Sequence, residues 1–77
     1  MSTVYLAVVY RSGSSYLIDV DPHEAEGYIR EERRRRGVYA RAYATRQEAT
    51  AALERVARHQ RAIADARRLR RMFRGAA

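Results

Sequence analysis

Val38-Tyr39-Ala40-Arg41-Ala42-Tyr43-Ala44-Thr45-Arg46-Gln47-Glu48-Ala49 changes its period part-way along. Through Ala44, small apolar residues alternate with Tyr39, Arg41 and Tyr43, the period of two expected of a strand. Thr45 and Glu48 then have the spacing of a capping box, in which a threonine oxygen and a glutamate satisfy free amides at the start of a helix. The Ala-, Arg- and Leu-rich sequence that follows carries helical spacing to about residue 74.

The same punctuation works outward from this join. Gly37 is suited to cap a preceding helix, and Asp21-Pro22-His23-Glu24 opens one with an acid at the cap and proline at the first helical position. That helix is expected over residues 22–36. Further upstream, Val4-Tyr5-Leu6-Ala7-Val8-Val9-Tyr10 and Tyr16-Leu17-Ile18-Asp19-Val20 are β-branched and aromatic around a short Ser12-Gly13-Ser14-Ser15 loop, which predicts an antiparallel hairpin. The order ββαβα gives an α+β fold: a three-stranded antiparallel sheet with two helices on one face, the second a long Arg-rich C-terminal helix. An arginine between two tyrosines is costly inside a small core, so the Ala40/Ala42 face of the third strand is expected under the helices and the Tyr39/Arg41/Tyr43 face open.

At 77 residues the chain reads as a single small domain, with residues 1–64 as a compact body and 65–77 as a basic helical extension. The last helix would span roughly 45 Å at 1.5 Å per residue, against about 30 Å for a compact domain of this size. Its apolar stripe (Ala49, Leu53, Val56, Ala57, Ile63, Ala64) keeps to one face, while Leu69, Met72 and Phe73 fall on another. The helix is therefore expected either to bend near Ala66 or to project.

Composition narrows the function classes. There is no cysteine, hence no disulfide framework, and His23 and His59 sit on separate predicted helices, so neither a metal site nor a cofactor is expected. No catalytic spacing occurs, and an enzyme is not expected. The longest apolar run, residues 4–10, is far short of a membrane span and lacks the flanks of a signal peptide, which predicts a cytoplasmic protein.

All sixteen basic residues are arginine, against nine acids, for a net charge of +7. The excess is uneven: residues 1–29 carry −3 and residues 30–77 carry +10. Such asymmetry points to an acidic partner, either nucleic acid, a nucleoprotein complex or an acidic protein surface. Guanidinium groups bind phosphate bidentately, so Arg61, Arg67, Arg68, Arg71 and Arg74 are the leading phosphate contacts, with Arg33, Arg34 and Arg41 secondary. In the 33–36 run, Glu31 and Glu32 are placed to pair with Arg35 and Arg36.

The alternative is a protein-directed regulator or inhibitor of the phage or host-defence type, one that blocks a nucleic-acid-handling machine sterically. It would act through Tyr5, Tyr39 and Tyr43 on the sheet, or through Leu69, Met72 and Phe73 on the last helix, which also make a homodimer conceivable.

The strand, the Thr45 cap and the Glu48-Ala49 entry into the last helix, taken with the ββαβα order, resemble the hybrid-binding domain at the N-terminus of some ribonucleases H. The resemblance covers residues 4–57 and implies that topology and a nucleic-acid ligand. The arginine-rich extension after Val56 has no counterpart in that family.

Overall fold

The structure is a computed structural model that describes residues 3–35 and 37–76, with side chains described as far as Phe73. Its elements are β1 (Val4–Tyr10), β2 (Ser15–Val20), α1 (Pro22–Arg34), β3 (Gly37–Tyr43) and α2 (Arg46–Ala76). The order is ββαβα, and the three strands form an antiparallel sheet ordered β2-β1-β3. Leu6, for example, lies between Ile18 and Ala42, and Val8 between Tyr16 and Ala40. The chain turns between β1 and β2 at Gly13, whose φ of 92° lies in the left-handed region that glycine enters without a Cβ penalty.

Both helices start where the sequence puts their caps. The Asp21 carboxylate accepts a hydrogen bond from the His23 amide at 2.9 Å, with proline in the first turn. Thr45 Oγ1 accepts from the Glu48 amide at 3.2 Å and donates to Glu48 Oε1 at 2.9 Å. The bonds to the His23 and Glu48 amides satisfy donors that a bare helix start leaves unpaired, and the Thr45–Glu48 side-chain bond holds the second cap in place.

The helices do not share one face of the sheet, as the sequence reading expected. Leu6, Val8, Val20 and Ala40 form a core with Ala25 of α1, and Ile29 of the same helix packs against it. Ala7 and Val9 point to the opposite face, yet they too are fully buried, as are Ala49, Ala52 and Ala57 along α2. The second helix therefore covers the Ala7/Val9 face, and the sheet is the middle layer of three. The dimensions agree: an extent of 10 Å matches three strands at about 4.8 Å spacing, and one of 24 Å matches a helix on each side of a sheet.

The cause lies in β1, which is apolar at every position. Such a strand is buried on both faces. Small residues on both sides, Ala7 below and Ala49, Ala52 and Ala57 above, let α2 lie close to the sheet.

This arrangement corrects the expectation of an open tyrosine face. Tyr5, Tyr39 and Tyr43 lie on the α2 side and are half-buried. Tyr39 and Tyr43 join through their hydroxyls, and the Arg41 guanidinium lies 5.7 Å from the Tyr43 ring centre. Burial, reinforced by the Tyr39 hydroxyl, raises the pKa of Tyr43 above its ordinary value.

The alternative of a bend in the last helix is settled as well. Helix α2 is continuous over 31 residues, about 46 Å long. The radius of gyration is 15.2 Å, well above the ~11.5 Å of a compact chain of this length. Side chains of α2 are buried or half-buried at intervals up to Ala64, whereas residues 65–73 are all exposed. The helix projects.

Candidate functional site

Chain direction brings distant arginines to one end of the molecule. Strand β1 runs from Val4 to Tyr10, and β2 returns until Val20 lies opposite Val4. Helix α1 begins there and runs back, so that Glu32 near its end meets the side chain of Tyr10. Strand β3 starts opposite Tyr10 and ends opposite Tyr5. Helix α2 begins beside Tyr5 and Asp19, which share a cleft with Arg46, and runs back until the stem of Arg61 lies against the backbone of Gly13 in the hairpin loop. Both helices therefore point their C-terminal ends towards the hairpin.

As a result, Arg11 of the loop, Arg33, Arg34 and Arg35 at the end of α1, and Arg61, Arg67, Arg68, Arg70 and Arg71 of α2 gather at or beyond the hairpin end, all exposed. Asp19, Asp21, Glu24 and Glu48 lie at the opposite end. The charge asymmetry along the sequence is a polarity in space.

One acid at the hairpin end is removed from its surface. Glu32 is 7% exposed, and its carboxylate accepts a 2.5 Å hydrogen bond from the Tyr10 hydroxyl. Tyr16 stands beside Tyr10, with ring centres 6.1 Å apart. The Tyr10 hydroxyl, seconded by that of Tyr16 and by the positive charge of Arg35, holds the Glu32 carboxyl below the usual carboxylate range in spite of burial. The same carboxylate raises the pKa of Tyr10, and burial followed by Glu32 raises that of Tyr16. Glu32 is thus a buried clamp between α1 and the sheet; the pairing with Arg36 that its spacing suggested falls on a residue outside those described.

Of the sequence-derived candidates, Arg33, Arg34, Arg61, Arg67, Arg68 and Arg71 are brought to this end. Arg41 is exposed but sits half-way along β3, opposite Ala7, and stands apart from the others. The side chain of Arg74 lies outside the described residues. Leu69, Met72 and Phe73 are 53%, 65% and 74% exposed on the projecting segment. His23 and His59 are exposed on different helices, and no group of three potential metal ligands occurs among the described residues.

Arg11, Arg35 and Arg70 were not singled out from the sequence. Arg11 and Arg35 share a cleft with Tyr10, Ser12, Gly37 and Val38. They are 24 positions apart, and only the two chain reversals between them make them neighbours.

The chain matches no protein-family description, no curated protein and no solved structure. No helix among the described residues is long and apolar enough to cross a membrane.

Proposed function

We propose that the protein is a small, basic, non-catalytic binding module that contacts nucleic acid or a nucleoprotein complex through its arginine-rich helices. The observation that carries this reading is the projecting segment of α2. Residues 65–73 extend the helix by roughly 13 Å beyond its last half-buried turn, with every side chain exposed and with Arg67, Arg68, Arg70 and Arg71 against the single acid Asp65. An extension of this kind adds little to the core, so its stabilising contacts are with something else. Guanidinium groups in such density suit phosphate.

Anisotropy titration of labelled single-stranded RNA, single-stranded DNA, duplex DNA and RNA–DNA hybrid tests this at about 50 and 200 mM salt. The expected result is binding that weakens steeply with salt and ranks the four ligands. Absence of salt-sensitive binding to all four refutes it.

A second reading is favoured by the exposure of Leu69, Met72 and Phe73, an apolar patch suited to a protein surface. In that case the module is a regulator that blocks its target sterically, with its arginines set against acidic residues. A stoichiometric complex with one protein, in the absence of affinity for naked nucleic acid, distinguishes it.

A further inference from the structure

We propose that a nucleic-acid backbone is held in a two-walled basic corner, formed where the projecting half of α2 overhangs the hairpin end of the sandwich, and not on the outward face of the helix. This rests on the nucleic-acid reading above and specifies which surface serves it.

The first wall follows from the register of α2. Ala49, Leu53, Val56, Gln60 and Ile63 succeed one another in alternating steps of four and three, and each is buried or half-buried. They form the seam that lies on the sheet. The same steps continued from Ile63 reach Arg67 and then Arg70, with Arg71 alongside. About a third of a turn round the helix, Ala62, Ala66, Leu69 and Phe73 follow one another in the same rhythm, all exposed. Where α2 leaves the sheet, therefore, its apolar residues leave the seam and Arg67, Arg70 and Arg71 take it over, while Arg68 stays in the outward row with Arg61. Arg67 and Arg70 occupy the face that looks back across the end of the sandwich.

Helix-end electrostatics does not explain this placement, because the dipole acts within the last turn. Arg67 and Arg70 lie more than one turn before the end of α2 at Ala76. A need for solubility would be met by arginines on any side.

The second wall is the end of the sandwich itself. Arg11 and Arg35 share a cleft with Ser12, and the passage of Arg61 over Gly13 brings α2 across this end. Glu32 is turned inward onto Tyr10 and so adds no exposed negative group to the corner. The two walls thus present guanidinium groups from three separate elements to one space.

A polyanion is the ligand that matches repeated positive charge on two walls. Arg67 and Arg70 are about 4.5 Å apart along the helix axis, while a nucleic-acid strand carries a charge roughly every 3.4 Å along a duplex. Phosphodiester backbone is the shared chemistry. Whether it comes from a single strand or a duplex is read from the ligand arms of the test.

The test uses the full chain and the four labelled oligonucleotides, with three double variants of equal charge change. R67Q/R70Q removes the helix wall, R11Q/R35Q removes the sandwich wall, and R55Q/R58Q alters the outward face of α2 before the projection. All six residues are exposed, so circular dichroism should show unchanged folding. Each corner variant is expected to lose about tenfold or more in affinity at 50 mM salt, and to flatten the slope of log K against log salt by about 1.8 on duplex DNA. The outward variant should change affinity by less than about threefold, since it removes no phosphate contact.

Equal losses in all three variants overturn the corner while leaving nucleic-acid binding intact. Loss in R67Q/R70Q without loss in R11Q/R35Q overturns the second wall. If the unaltered protein binds none of the four ligands, both the corner and the nucleic-acid reading fall, and an acidic protein surface takes their place.

Discussion

Replacing Glu32 with alanine should unlock the sandwich at its hairpin end. The carboxylate is buried and accepts a 2.5 Å hydrogen bond from Tyr10, so E32A removes a charge-assisted bond and leaves a half-buried hydroxyl without its acceptor. Hydrogen bonds to charged groups contribute about 1.5–3 kcal/mol. At roughly 4–8 °C per kcal/mol for a domain of this size, a loss near 2 kcal/mol lowers Tm by about 8–16 °C. E32Q keeps an acceptor but not the charge and should lose about half as much.

The dependence on pH separates this clamp from a packing defect. Glu32 has its folded pKa lowered, chiefly by Tyr10. Its stabilisation is therefore fully present above the unfolded carboxylate pKa, about 4.3, and is lost as pH falls through the lower folded value. The stability gap between the unaltered protein and E32A should be constant from about pH 6 to 8 and should narrow towards pH 3. In alkali the sign reverses for Tyr10, whose pKa is raised above 10.0: its contribution is present below that pH and fades as the folded-state hydroxyl ionises. Thermal unfolding followed by circular dichroism between pH 3 and 8 is sufficient, with the exposed neighbour variant E31A as control. A Tm for E32A within about 2 °C of the control, or a gap that does not narrow in acid, refutes the clamp.

Gly13 holds a left-handed turn, and a Cβ there would clash with the Arg61 side chain, so G13A should cost about 1–3 kcal/mol, part as backbone strain and part as displacement of Arg61, measurable by urea unfolding. Ala52 is 3% exposed between α2 and the sheet, and A52L should destabilise by about 1–3 kcal/mol through overpacking; a neutral result would mean that α2 does not lie on the sheet as described. Ending the chain after Ala64 removes only exposed described side chains and should leave Tm within about 3 °C, while salt-sensitive binding to the four oligonucleotides disappears. Changing both Met72 and Phe73 to serine should leave Tm and nucleic-acid affinity unchanged but abolish any protein complex made through that stripe, as read by analytical ultracentrifugation.

The elements themselves were legible because each is marked locally. Asp21 with Pro22 and Thr45 with Glu48 start the helices, and Gly13 turns the hairpin. What was misread is the side of the sheet on which α2 lies, and the error has a physical source. The alternation in β3 suggested one covered face and one open, as in a two-layer fold. Strand β3 is an edge strand, however, and edge residues can carry polar tips beyond a covering helix; Arg41 is exposed for this reason while Tyr39 and Tyr43 beside it are half-buried. The central strand was the better witness. Its unbroken run from Val4 to Tyr10 has no polar face to offer solvent, and Ala7 and Val9 are as fully buried as Leu6 and Val8.

A sheet covered on both sides has no face left for a ligand, so the proposed recognition falls to its ends or edges. In this topology the two ends are not equivalent. Each helix follows a strand that finishes away from the hairpin, so each runs back and delivers its C-terminal half to the same place. Arginines in the second halves of α1 and α2, far apart in sequence, must then converge there with Arg11 of the loop, whereas the acids that open the helices gather at the other end. Helix dipoles favour this sorting at the last turn of α1. They do not require an α2 that continues past the body, nor a seam that turns from Ile63 to Arg67 and Arg70 just where the sheet stops supporting it. A helix shaped only by stability would end near Ala64; the additional turns carry Arg67, Arg70 and Arg71 on the side facing the hairpin end, which is where a bound polyanion would touch both walls, and leave only Arg68 of the described arginines outward.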